Sequence, residues 1–163
     1  MKRLTNEQWG FSSNCFACEP TNSQGLRIPF NHDEATQMVV AEFELNSAFS
    51  GAPNYLHGGV CLTIMDEAMA WATIAIAHTF ALTRRTSTMF EHPIRVGRPY
   101  RVEARVDAVE SDRIKTSAVI VDQKDRSCAT SQAEFIPLGP VQAADAIGQE
   151  PTGPDVTYLQ PRP

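Results

Sequence analysis

The His57-Gly58-Gly59 step opens a long apolar run that reaches His78, and two acids, Asp66 and Glu67, sit in its middle. The first turn of a helix carries backbone N–H groups without intrahelical partners and the positive end of the helix dipole. Glycine there lets another molecule approach the backbone closely. Gly58 and Gly59 are therefore suited to hold negative charge that develops on an oxygen, worth about 3 kcal/mol per donor. The competing reading is that the glycine pair only lets the chain turn sharply into the helix. A carboxylate inside an apolar helix loses hydration, which raises its pKa toward the range of a working base. Asp66 lies roughly 12 Å along the helix axis from Gly58 at 1.5 Å per residue. It cannot easily serve the Gly58 of its own chain, whereas a two-fold-related copy solves the geometry, so a dimer is expected. Glu67 points about 100° away around the helix. Asp66 is the preferred base and Glu67 the fallback. The alternative for Asp66 is an acid at a wet interface, paired with Arg84 or Arg85.

The remaining chemistry-bearing residues read more plainly. His57 is expected to hydrogen-bond locally and shape the loop. His78 fits a helix end, where a cation favours the dipole. Cys61 lies one turn into the helix, with no partner at fixed spacing to make it a nucleophile. Met65, Met69 and Trp71 are core, or the wall of an apolar pocket. Arg84, Arg85, Arg95 and Arg98 could meet phosphates, or simply be a solvated strand edge. Cys15-Phe16-Ala17-Cys18 has the spacing of half a zinc site, but no second such pair exists in the chain. A closed structural site needs four ligands, so no metal is expected.

The elements that must position these residues follow from pattern. Gly25–Phe30 reads as a short strand with Pro29 at its end, and Asn31–Glu34 as a turn. Thr36–Leu45 is a second strand. Asn46–Leu56 is a connection anchored by Phe49 and Tyr55. The helix runs from about Gly58 to about His78. Strands follow from Thr83, over Tyr100–Val109, Ile114–Val121 and Ser127–Ile136, the last three as a meander. Tyr100, Val102, Ala104, Val106 and Ala108 alternate with Arg101, Glu103, Arg105 and Asp107, the pattern of a half-buried antiparallel strand. One long apolar helix with no second helix can be covered only if the sheet curls around it, an α+β architecture. Three segments are expected: an arm over 1–24, a domain over 25–137 and a proline-rich tail over 138–163. The tail is expected to be disordered, or ordered by lying on a partner surface.

The helix has the length of a membrane span, but each acid near its centre would cost roughly 2.5 kcal/mol or more on insertion, so it is assigned to a protein core. A formal net charge of -5 argues against a broad nucleic-acid-binding face. The first residues hold no apolar signal stretch, so a cytoplasmic location and reduced cysteines are expected.

The order of these elements, with His57-Gly58-Gly59-Val60 and Asp66-Glu67-Ala68, resembles the hot-dog fold thioesterases of the PaaI type. The stretch from Asn14 through Cys15 and Cys18 to Leu26 is similar to a subgroup with a Cys-Phe-x-Cys arm. Phe90-Glu91-His92-Pro93 followed by Gly97 resembles the family's aromatic-x-x-Pro turn. The resemblance implies an antiparallel sheet wrapped around one central helix. It implies hydrolysis of acyl-CoA thioesters, with coenzyme A as part of the substrate and no further cofactor. It implies a homodimer joined edge to edge, paired into a tetramer as a dimer of dimers, with sites shared between protomers. Carried over, Gly58 is the N–H that polarises the carbonyl and Asp66 the catalytic carboxylate, as base or nucleophile. Thr83 is a hydroxyl that can hold the attacking water. Asn54, His57, Gly59, Arg84 and Arg85 complete the substrate-binding set. Gly51 departs from the pattern, since some relatives carry Asn there, and Asn54 is the substitute. Rival readings on the same fold are a non-catalytic acyl-CoA or lipid-binding protein and an enoyl-CoA hydratase or dehydratase.

Overall fold

A computed structural model describes residues 1–152. Its centre is α1, Gly58–Ala75. Ile64, Met65, Ala68, Met69 and Ala72 of this helix are fully buried. They meet the inner face of a seven-stranded sheet formed by β1 (Lys2–Arg3), β2 (Asn31–Asp33), β3 (Met38–Glu44), β6 (Ala81–Phe90), β7 (Pro99–Val109), β8 (Ile114–Val121) and β9 (Ser127–Pro137). The spatial order is β1-β2-β3-β7-β8-β9-β6, every pair antiparallel. A small hairpin, β4 (Ser50–Ala52) with β5 (Tyr55–Leu56), delivers the chain into α1. Val39, Val102, Ile114, Ile120 and Phe135 supply the sheet's half of the core. The expected curled-sheet-on-helix architecture is observed. Among the described residues no helix is long and apolar enough to cross a membrane.

The arm is packed. Trp9 is buried and its ring lies 6.4 Å from that of Trp71 on α1. The run 25–30 does not enter the sheet as a ladder strand. Arg27 takes a left-handed φ of 55°, and Leu26 and Ile28 donate their N–H groups to Phe16 and Ala17 of the arm, at 2.7 and 2.9 Å. The strand comes later, at β2, where a turn was expected, because His32 pairs with Val39. The helix stops earlier than His78. Ile76 closes it, and His78 turns the chain away at a φ of 55°. The tail also differs from expectation. Pro140–Ile147 form α2, with Pro140 in the first turn, Gly148 as a left-handed cap and Ala143 buried. The Thr152 N–H donates to Trp9 O at 3.0 Å. Residues 153–163 of the expected tail lie outside the described residues.

His32 is only 3% exposed, and neither ring nitrogen has a hydrogen-bond partner among the described residues. Burial holds its pKa below the usual imidazole value. The unfolded chain, with a pKa of about 6.5, then binds a proton that the native state refuses. Stability therefore falls as pH drops through that value. His32→Phe is expected to lose less denaturation midpoint than the wild type between about pH 7 and pH 5, the window set by the imidazole pKa. Equal losses would mean that His32 is not the group responsible.

Candidate active site

The start of α1 is built by its own cap. His57 is extended, with φ -62° and ψ 133°, and its Nδ1 accepts the Gly59 N–H at 2.9 Å. The Val60 and Cys61 N–H groups both turn back to His57 O. Among the described residues only Gly58, of these first helical positions, is left with an N–H that has no acceptor. Gly58 is exposed. A Cβ on it would stand 3.6 Å from the ring of Phe90, at the far end of β6, whereas one on Gly59 would press on His57 Nδ1 at 3.1 Å. The two glycines thus differ: Gly58 offers a donor, and Gly59 is engaged by the cap. His57→Ala removes this cap and is expected to cost about 1 kcal/mol without abolishing any activity of the site. Denaturant unfolding measures that cost.

Asp66 is half-buried, and the Thr83 hydroxyl donates to its Oδ1 at 2.9 Å. Burial raises its pKa, and the Thr83 hydrogen bond partly opposes the rise. No ion pair links Asp66 to Arg84 or Arg85 among the described residues. A β-bulge separates Thr83, which pairs with Phe135, from Arg85, which pairs with Glu134. Phe135 is a core residue, so Thr83 faces inward to the helix. The extra residue flips the alternation and sends Arg85 to the outer face, where it borders a 660 Å³ depression with Arg105 and Lys115. Beyond the bulge, Thr86, Thr88 and Phe90 return to the inner face, opposite Ala133, Ser131 and Ala129. Thr86 and Thr88 share hydrogen bonds with Ser131 at 3.1 and 2.9 Å. A line of hydroxyls therefore runs along β6 from the Asp66 end to the Gly58 end.

Glu67, the fallback acid, is turned elsewhere. The Cys15 thiol donates to Glu67 Oε1 at 3.3 Å. Burial pushes the Glu67 carboxyl up to about 8. Asn54 is exposed at the β4–β5 turn, its carbonyl accepting from Val96. Gly51 packs on His57, where a Cβ would meet Cα at 3.1 Å. That close approach gives a physical reason for a glycine at this position. Arg95 lies over the Tyr55 ring at 5.2 Å. Cys61 is buried, and burial raises its thiol to about 11. Neither the 660 Å³ depression nor its 610 Å³ neighbour on the outer sheet face includes Gly58 or Asp66. The groups suited to chemistry sit instead beside the exposed edge strand β6.

Sequence reading missed the Phe90 ring against Gly58, the Ser131 hydroxyl and the Cys15–Glu67 contact. The cysteine spacing was the only local signal for the last of these.

The profile of the thioesterase superfamily matches residues 53–129. No curated protein matches the chain. Among solved structures, a thioesterase superfamily protein superposes with a TM-score of 0.71 at 20% identity, over 76% of this chain and 60% of the other. This chain thus spans less than two thirds of that protein. The Escherichia coli PaaI protein of the phenylacetic acid degradation operon gives 0.63 at 20% identity, over 70% of this chain and 81% of that one. A Streptococcus mutans protein bound to acetyl-CoA gives 0.60 at 16% identity, over 63% and 82%. Over the helix and the strands around it, this chain has the hot-dog fold, and residues 53–129 are similar to the thioesterase superfamily.

Proposed function

We propose that the protein hydrolyses acyl-CoA thioesters at a site completed by two copies of the chain. The observation that carries this reading is the free Gly58 N–H at the start of the helix that also bears the desolvated Asp66. The Gly58 N–H receives the thioester carbonyl oxygen and stabilises it as negative charge develops. Asp66 of the second copy takes a proton from water as the water attacks the carbonyl carbon. Collapse of the tetrahedral intermediate expels the coenzyme A thiolate. Attack by Asp66 itself, through an anhydride, is the second route to the same products.

Strand β6 supports the two-copy site. It is the sheet edge, and Leu82, Met89 and Phe90 are 57%, 65% and 53% exposed on it. An unpaired edge with apolar side chains is a template for another strand. A two-fold axis at Ser87, with Arg84 bulged out of the pairing in each copy, pairs Thr83 of one copy with Phe90 of the other. Thr83 holds Asp66, and Phe90 lies against Gly58. Antiparallel pairing of β6 with its copy thus sets each Asp66 facing the partner's Gly58, with the hydroxyl line between them. A dimer of such dimers is the larger assembly. Arg84 and Arg85, free of ion pairs among the described residues, are available to phosphates of the coenzyme. The acetyl-CoA held by the Streptococcus mutans neighbour agrees with a ligand of this kind.

The test is release of free thiol from a panel of acyl-CoAs by the purified protein. Turnover of at least one member is expected. Tight binding without turnover would favour a carrier, and hydration of an enoyl-CoA would favour a hydratase.

A further inference from the structure

Cys15 and Cys18 of the arm meet Glu67 of α1, and hydrolysis as described uses none of them. Their Sγ and carboxylate oxygen atoms all lie within 4.8 Å of one another. The sequence objection to a metal here was a shortage of ligands. The fold supplies a third ligand by bringing a helix carboxylate 52 residues away in sequence to 3.3 Å from Cys15 Sγ.

We propose that Cys15, Cys18 and Glu67 form a binding site for one divalent cation of the zinc class, with a fourth position open to water. Two sulfurs and one carboxylate oxygen are a borderline-soft donor set, which selects zinc over magnesium or calcium. In a tetrahedral zinc site with bonds of about 2.3 Å to sulfur, sulfurs stand about 3.7 Å apart, a separation that needs only side-chain adjustment from the observed cluster. The surroundings suit thiolates. The Cys18 N–H donates to Cys15 Sγ at 3.3 Å, and Asn6 Nδ2 donates to Cys18 Sγ at 3.8 Å. Such N–H donors hold and tune sulfur ligands.

The loop is also held in place. The Glu19 N–H returns to Cys15 O, and Leu26 and Ile28 donate to Phe16 and Ala17. Gly25 passes so close that a Cβ there would meet Phe16 O at 2.6 Å. A loop fixed this way loses little freedom on closing around an ion. Cys18 is buried and Cys15 half-buried, so the open side of the cluster is at Cys15. The other two thiols, Cys61 and Cys128, are buried elsewhere and are not part of the cluster.

Cobalt(II) titration of the reduced, metal-free full chain tests this directly. One equivalent is expected to bind and to give thiolate-to-cobalt charge-transfer absorption that zinc then abolishes. The absorption is expected to vanish in Cys15→Ser and Cys18→Ser and to persist in Cys128→Ser. Glu67→Gln is expected to weaken binding by at least about tenfold, as disturbed metal sites do. Zinc is expected to raise the melting temperature of the wild type and not that of Cys15→Ser, a half-exposed position chosen so that folding survives. Reduced wild-type protein that gives no such absorption, or absorption that persists in Cys15→Ser, would overturn the proposal. So would a cluster that only forms a Cys15–Cys18 disulfide. None of these readings depends on thioester hydrolysis, so failure of one proposal leaves the other standing.

Discussion

Asp66→Ala is expected to lower kcat/KM on the best acyl-CoA by roughly 10²–10⁴-fold, the range that a general base supplies. At 1.36 kcal/mol per decade this is about 3–5 kcal/mol of lost transition-state stabilisation. Asp66→Asn keeps the shape and the Thr83 hydrogen bond but removes the charge, so it is expected to be as inactive as the alanine variant. Stability is expected to move the other way. Burial raises the Asp66 pKa, which means that folding works against its ionised form. The asparagine variant is therefore expected to unfold at a denaturant concentration no lower than the wild type. A variant that loses activity and stability together would point to a structural role. Asp66→Asn with wild-type kcat/KM would remove Asp66 from the chemistry.

Gly58→Pro is the second large effect, because it replaces the backbone N–H hydrogen with a ring carbon at a helix position that tolerates proline. Gly58 is the first residue of α1, the position where proline is favoured because its N–H has no helical partner. The residue before a proline must be extended, and His57 already is, at φ -62° and ψ 133°. The nearest atom to a Cβ at Gly58 is the Phe90 ring at 3.6 Å, an ordinary contact. The helix is thus expected to form. Loss of a single oxyanion donor is expected to cost about 10²–10³-fold in kcat. Gly58→Ala keeps the donor and is the control: it is expected to fold at least as stably, since alanine favours helix by up to about 1 kcal/mol over glycine. Proline with wild-type kcat would mean that the donor lies elsewhere.

Much of this arrangement was legible in the sequence where the pattern is local. Tyr100–Val109 alternates over enough residues to name the strand and its inner face, and β7 spans Pro99–Val109 with Tyr100, Val102 and Ala104 buried. The helix start was legible from His57-Gly58-Gly59, and the separation of Gly58 from Asp66 followed from helix geometry alone. The helix end was not, because no glycine or proline marks it; His78 adopts the left-handed turn that glycine more often fills. β2 was missed because its residues are polar, and its pairing is set by the register with β3. α2 was missed because proline content was weighed above the Gly139-Pro140 start and the Gly148 stop, which are ordinary helix signals. In the site, no local pattern announces the bulge at Arg84 that turns Thr83 and Arg85 to opposite faces. Nor does one announce the approach of Cys15 to Glu67 across 52 residues. Both are products of tertiary packing.

The account rests on a site whose two halves belong to different copies. Its most direct test is complementation between Gly58→Pro and Asp66→Asn, each inactive alone. In a mixed dimer, one site carries both defects and the other carries none. Coexpressed and assembled at random, with mixed dimers verified by native mass spectrometry, the pair is expected to recover about a quarter of wild-type kcat, the statistical yield of intact sites in a two-fold assembly. Mixed dimers that remain as inactive as either parent would contradict the shared site and place Gly58 and Asp66 in separate roles.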